Sequence, residues 1–260
     1  MFIYKNNKKH EKTGISLMKI DFSQYKQIVV LTGAGVSTAS GLHTYRGKDG
    51  IWEEYDVEEY GHVNRLNDHP DRIWKLFGPL RDELKTAQPN AAHYALAELE
   101  KNLKPEQEFT LITQNIDNLH QQAGSRNIIE LHGTVLITKC SDPNCTLKPY
   151  PDDNSHQNEV PICPECDHPL RPDIVLFGEM IPGGKDWHVK RALRDCDLFI
   201  SIGTSGSVYP ASNFVRSAEY AGARTIYINL DPMSPPNPAF KEEHLGKAEE
   251  ILPQLFGLTI

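Results

Sequence analysis

The 260-residue sequence predicts a doubly wound α/β fold carrying a helical insert and a small cysteine-rich insert. Three observations carry that prediction. First, apolar runs end repeatedly in loops of Gly, Asn, Asp or Ser: LTGAGVSTASG follows QIVV, TQNIDNLH follows EFTLI, GTS follows LFISI and INLDP follows ARTIY. Such runs read as buried parallel strands that deliver a loop at their carboxyl end. Second, stretches of helical period lie between them, and that alternation calls for helices on both faces of one sheet, a Rossmann-like arrangement. Third, residues 136–170 break the rhythm, being rich in Pro, Asp, Asn and Cys with little apolar periodicity.

The elements follow in order. Residues 1–20 carry several lysines but no continuous apolar core of a secretory signal, and are expected to be a disordered leader. Met18, just before the first strand-like segment, is an alternative start. After the Gly33–Gly41 loop, residues 50–90 look helical. Asp68-His-Pro-Asp-Arg-Ile-Trp supplies capping residues and a proline, and Ile73, Phe77, Leu80 and Leu84 then share a face, with Gly78-Pro79 expected to interrupt it. Asn90 should cap a further helix that buries Ala95, Leu96, Leu99 and Leu103. The α/β pattern is expected to resume with Asp173-Ile-Val-Leu-Phe. The main domain is thus assigned to 21–135 and 171–260, with the helical insert at about 50–90 and a small module at 136–170.

Composition bounds the partners. Net charge is −8 with a pI near 5.8, which argues against a chain held to nucleic acid mainly by phosphate contacts. No apolar run approaches the roughly 20 residues that cross a bilayer. A cytoplasmic location without membrane or direct nucleic-acid contact is therefore expected.

Cys140-x4-Cys145 and Cys163-x2-Cys166 are close pairs separated by 17 residues. Two tight turns bearing thiolates supply a tetrahedral zinc site, and a module too poor in apolar residues for its own core gains its folding energy from the metal. Free thiols or disulfides are the bland alternatives, and disulfides are disfavoured in a reducing compartment. His156 and His168 are substitute ligands. Four thiolates leave no open position, so the zinc would be structural. Cys196 reads as a core residue.

The strand-end loops should share one crevice outside the carboxyl ends of the sheet. Gly33-Ala34-Gly35 lacks the third glycine of the ordinary dinucleotide fingerprint at its usual spacing, since Gly41 comes six residues after Gly35. Alone it means only a tight turn with close backbone approach. In Thr113-Gln-Asn-Ile-Asp-Asn-Leu-His120, Asn115 and Asp117 either face a pocket or cap a helix. His132, ending Ile-Ile-Glu-Leu-His, is either a satisfied core histidine or a base near neutral pH.

Together these segments resemble the sirtuin family of NAD-dependent protein deacylases. The resemblance is carried by GAGVSTASGLHTYRG, PNAAHYALAELE, TQNIDNLH, ELHG, the four cysteines, RPDIVLFGEMIP, GTSGSVYPA and INLDP, in the family's order over roughly residues 25–255. It implies a dinucleotide-binding domain and a zinc module, with NAD and an acyl-lysine of a protein entering between them. His132 matches the family's general base, and Asn115 and Asp117 match residues that orient the nicotinamide ribose and amide. The cofactor site implied comprises Gly33, Ala34, Gly35, Ser37, Gln114, Asn115, Ile116 and Asp117, then Tyr45-Arg46 as a covering loop. Gly203, Thr204, Ser205, Asn229, Leu230 and Ala248 fall on its adenosine side. Val175, Phe177 and Gly178 match the strand that grips the acyl-lysine. Lysine, nicotinamide and O-acyl-ADP-ribose are the implied products.

Two departures matter. The family's Gly-Ile-Pro-Asp/Thr-Phe-Arg is here Gly41-Leu-His43-Thr44-Tyr45-Arg46, and His43 in place of proline loosens the covering loop. Desuccinylating members carry Tyr-x-x-Arg, where this chain has Phe77 and Leu80, with Arg81 one position late. A buried carboxylate without a guanidinium is costly, so neutral acyl groups such as acetyl are expected over succinyl. The competing activities are ADP-ribosyl transfer to protein or NAD hydrolysis in the same cleft. A non-enzymatic NAD-sensing or zinc-ribbon interaction module is a third reading.

Overall fold

The structure, a computed structural model, describes residues 19–44 and 57–258. Its strands are β1 (Gln27–Thr32), β2 (Glu108–Thr113), β3 (Ile128–Glu130), β4 (Gly133–Cys140), β5 (Tyr150–Pro151), β6 (Leu170–Ile174), β7 (Leu198–Ile202), β8 (Arg224–Asn229) and β9 (Glu242–Leu245). The main helices are α1 (Pro70–Leu84), α2 (Ala91–Asn102), α3 (Leu119–Gln122), α4 (Gly183–Arg194), α5 (Phe214–Tyr220) and α6 (Ala248–Phe256).

Six strands form one sheet in the order β3-β2-β1-β7-β8-β9, with every neighbouring pair parallel. The order reverses between β1 and β7, and at such a switch point the loops part to leave a crevice. β1 is buried from Ile28 to Thr32 because both faces of the sheet are covered. Ile28 and Val30 face Ala95 and Leu96 of α2 and Leu252 and Leu255 of α6. Val29 and Leu31 face Val189 and Leu193 of α4 and Val215 and Ala218 of α5. A run without polar alternation is what two-sided burial demands.

The capping expected at Asn90 is present. Its side chain accepts from the Ala92 N–H at 2.9 Å, and the His93 side chain accepts from the Asn90 N–H at 3.2 Å. The helix before it differs from expectation. α1 runs unbroken through Gly78-Pro79, and its N-cap is His69 with no side-chain cap bond. Its buried face of Ile73, Trp74, Phe77, Leu80 and Leu84 compensates for the one donor that proline lacks. Gly78 is there for contact: a Cβ on it would meet the Ser155 carbonyl at 2.4 Å.

The second sheet has the order β5-β4-β6, antiparallel throughout. Asp173-Ile-Val-Leu-Phe, read from sequence as the return to the parallel pattern, instead begins at the end of β6, which pairs with β4. This sheet therefore reaches from 133 to 174, beyond the 136–170 that composition marked out. Its ends are apolar for a reason of packing: Val135, Ile174 and Leu176 share a core with Trp74 and Phe77 of α1.

Leader residues 1–18 lie outside the described residues. Ile20 is buried and its N–H bonds to the Leu255 carbonyl at 2.8 Å. No helix of the described residues is long and apolar enough to cross a membrane.

Candidate active site

Two strand-end loops interlock at the switch point. The Gly33 N–H donates to the Ile202 carbonyl at 3.0 Å and the Gly35 N–H to the Gly203 carbonyl at 2.9 Å. A Cβ on Gly33 would lie 2.7 Å from the Gly203 oxygen, and one on Gly203 would lie 2.6 Å from the Val36 nitrogen. Gly203 also has a φ of +62°. The glycines after β1 and β7 are thus required by backbone-on-backbone approach, which leaves their amides and small side chains as the floor of a cleft.

From β2, Gln114, Asn115 and Asp117 enter the same region. The Asn115 Nδ2 donates to the Gly33 carbonyl and to the Ser37 hydroxyl, each at 3.2 Å. The Ser37 hydroxyl donates to Asp117 Oδ2 at 2.6 Å, and the Leu119 N–H donates to Asp117 Oδ1 at 3.0 Å. The ring of His93 lies behind, with Nε2 3.5 Å from the Ser37 oxygen. Burial pushes the Asp117 carboxyl up, against those two donors.

His132, just past β3, has Nδ1 3.1 Å from the Gln114 carbonyl. A carbonyl only accepts, so Nδ1 carries the proton and Nε2 keeps its lone pair. Burial pulls the imidazole pKa below its ordinary value; the Gln114 bond opposes this and Lys185 adds to it. The ring is therefore neutral near pH 7 and poised to accept a proton.

A cavity of about 1390 Å³ unites these parts. That exceeds the roughly 300–1,000 Å³ of an ordinary ligand pocket and leaves room for two ligands side by side. Gly33, Ala34, Gly35, Gln114, Asn115, Ile116 and His132 line it on one side of the switch point. Gly203, Thr204, Ser205, Asn229, Leu230 and Ala248 line the other. Val175, Phe177 and Gly178 border it from the side of the second sheet. Ser37 and Asp117 do not reach this cavity; they line a small adjoining pocket that shares Ala34, Asn115 and Ile116 with it. Tyr45 and Arg46 lie outside the described residues. Sequence reasoning missed the walls contributed by Leu76, Tyr209 and Lys247. The signal for Tyr209 was its place in the same strand-end segment as GTS; Leu76 gave none beyond helical burial.

Phe77 and Leu80 project into the cavity from α1, whereas Arg81 turns away. Arg81 is fully buried. Its Nε donates to the Val135 carbonyl at 2.7 Å, NH1 to Asp152 Oδ2 at 3.0 Å and the Asn154 carbonyl at 2.8 Å, and NH2 to the Thr138 hydroxyl at 2.8 Å. Every nitrogen of the guanidinium is engaged in the second sheet and the loop beyond it.

Cys140, Cys145, Cys163 and Cys166 bring their sulfurs within 4.8 Å of one another, and none forms a disulfide. The donor set and its compactness are compatible with one tetrahedral structural zinc. His156 is turned to Asp152 Oδ2 at 2.8 Å, and His168 Nδ1 lies 3.0 Å from the Cys166 carbonyl, so the compact four-sulfur set needs neither. Cys196 is buried in the main core.

Fold and site define a class: a nucleotide-cleft protein on a doubly wound sheet, with a four-cysteine module flanking the cleft. The model of the Sir2 family matches residues 33–210, and the chain belongs to that family. A relative from Salmonella typhimurium named as an NAD-dependent protein deacylase is 43% identical over 234 residues, covering 88% of this chain and 82% of its own. A solved Sir2 homolog in complex with NAD is 37% identical, with a TM-score of 0.81, covering 91% of this chain and 90% of that one. A solved complex of Sir2 with a p53 peptide and NAD is 30% identical, with a TM-score of 0.77, covering 91% and 94%.

Proposed function

We propose that this chain is an NAD-dependent protein-lysine deacylase that prefers neutral acyl groups such as acetyl. The observation that carries the reading is His132. Its proton is held on Nδ1 by a main-chain carbonyl, and its ring is neutral and borders the cavity. Bound NAD supplies a nicotinamide leaving group and an electrophilic ribose carbon. Asn115, fixed by the Gly33 carbonyl and Ser37, orients the nicotinamide ribose, and Asp117 holds the nicotinamide amide where it extends from the cavity into the small adjoining pocket. The acyl-lysine enters past Val175, Phe177 and Gly178, and its amide oxygen is the nucleophile. His132 Nε2 then takes the proton of a ribose hydroxyl, whose oxygen bonds to the imidate carbon. The C–N bond breaks to free the lysine amine, and one water, added at that carbon, completes O-acyl-ADP-ribose while the original amide oxygen stays on the ribose. Apolar walls exclude the water that would otherwise only hydrolyse NAD.

The acyl preference rests on Arg81. With all its nitrogens bonded elsewhere, nothing cationic on α1 meets an acyl carboxylate beside Phe77 and Leu80. A succinyl group there would leave a charge unpaired. Protein substrates, a cytoplasmic site of action, and no direct contact with membrane or nucleic acid complete the reading.

Purified protein incubated with NAD and one peptide bearing acetyl- or succinyl-lysine tests it by mass spectrometry. Nicotinamide, deacylated peptide and O-acyl-ADP-ribose are expected, with the faster initial rate on the acetyl peptide. Free or protein-bound ADP-ribose with the acyl-lysine intact would assign NAD hydrolysis or ADP-ribosyl transfer instead.

A further inference from the structure

A charged pair beside the acyl-lysine turn has no part in the chemistry above. Arg171, on β6, is 3% exposed. Its NH1 donates to Glu179 Oε1 at 2.5 Å and its NH2 to Glu179 Oε2 at 3.0 Å, a two-pronged pairing. The same NH2 donates to the Ile174 carbonyl at 2.6 Å. Glu179 Oε2 also accepts the Leu176 N–H at 2.8 Å, and the Glu179 N–H closes on the Leu176 carbonyl at 3.0 Å. These bonds pin the turn Val175–Gly178 at both ends.

The opposite side of the turn is held by the helical insert. The Phe177 N–H donates to the Gly61 carbonyl at 3.0 Å, and its carbonyl accepts the Val63 N–H at 2.9 Å. Arg171 directly follows Leu170, which pairs with Cys140 across β4 and packs with Cys163. One peptide bond and one ion pair therefore separate the four-cysteine cluster from the turn that borders the cavity.

We propose that Arg171 and Glu179 are a positioning pair that holds the Val175–Gly178 turn in its acyl-lysine-gripping shape and ties it to the cysteine module. The inference rests on the deacylase reading of the cleft. A planar guanidinium fork fixes a carboxylate in orientation as well as distance, which a lysine does not. Without the pair the turn would keep its backbone bonds, to the helical insert and from the Val175 N–H to the His132 carbonyl at 2.9 Å, but no side-chain brace, and more of its ordering would fall on substrate binding. A buried Arg171 is tolerated because it is fully paired.

Fluorescence anisotropy with a labelled acetyl-lysine peptide reads the effect without turnover, alongside NAD affinity by calorimetry and zinc content. Glu179→Gln keeps size and a carbonyl oxygen for Leu176 but loses the charge. It is expected to weaken peptide binding about 10- to 100-fold, with NAD affinity and zinc content unchanged. Arg171→Lys, which keeps charge and loses the fork, should act in the same direction. Unchanged peptide affinity in Glu179→Gln, or peptide, NAD and zinc falling together, overturns the positioning role. Wild-type protein that binds NAD but no acyl-peptide overturns the deacylase reading along with it.

Discussion

At the scale of single residues, the account turns on one imidazole. Burial lowers the His132 pKa from 6.5, so the base form persists below the ordinary histidine range. The acid limb of kcat/KM for the acyl-peptide is accordingly expected below pH 6.5, and His132→Ala should lower deacylation about 10²–10⁴-fold. A pH–rate profile of the wild type and single-turnover rates of the variant check both; an acid limb above pH 6.5 would contradict them. At the end of an apolar run His132 read as either a core histidine or a base, and only the resemblance to sirtuins implied the second; the fold sets it on the wall of the cavity. Arg81 was not legible. In Leu80-Arg81-Asp82-Glu83 it reads as one more charge on a helix surface, and only the fold shows acceptors from β4 and the 152–154 loop meeting it. For the same reason sequence alone left its reach toward an acyl carboxylate open. Installing the missing fork is the converse test: the double variant Phe77→Tyr, Leu80→Arg should raise the succinyl-to-acetyl rate ratio by at least tenfold, as charge-assisted pairing outweighs neutral contact.

At the scale of elements, strands were read more surely than what lies between them. β1, β2, β7 and β8 have apolar centres without regular polar alternation because both faces are covered, and the turn residues that bound them mark them as strands. β9 reads Glu-Glu-His-Leu and carries no such signal; it is an edge strand whose pairing with β8 comes from the backbone. The apolar run Ile-Val-Leu-Phe at the end of β6 misled because residues packed against α1 look like those of a strand in the main sheet. The glycine loops make a sharp prediction here. Gly203→Ala would force a Cβ to 2.6 Å from the Val36 nitrogen at a φ of +62°. It should cost about 1–3 kcal/mol by thermal or urea unfolding and weaken NAD binding, since the floor of the cleft separates. Chelation of the metal, or Cys163→Ser, should release zinc and unfold the cysteine module while the parallel sheet keeps most of its circular dichroism. The small module has a core of little beyond Cys140, Cys163 and Leu170 to hold it otherwise.

At the scale of the whole molecule, stability draws on two buried imidazoles other than His132. Burial pulls His93 down to about 4, and burial beside His93 pulls His120 well below 6.5. Both are neutral when folded and protonate in the unfolded chain from pH 6.5 downward. The unfolded state then binds more protons, so stability is complete above pH 6.5 and is lost as pH falls toward 4. His93 alone would account for about 3 kcal/mol of that loss. Calorimetry between pH 7 and 4.5 should show a falling midpoint that flattens in His93→Asn, whereas a pH-independent midpoint would contradict it.

The most direct measurement is a crystal structure with NAD and an acetyl-lysine peptide bound. The nicotinamide ribose is expected beside Asn115, with one of its hydroxyls within hydrogen-bond reach of His132 Nε2 and the acetyl group between Phe177 and Leu80. A ribose seated elsewhere in the cleft, with Nε2 out of reach of every hydroxyl, would contradict it.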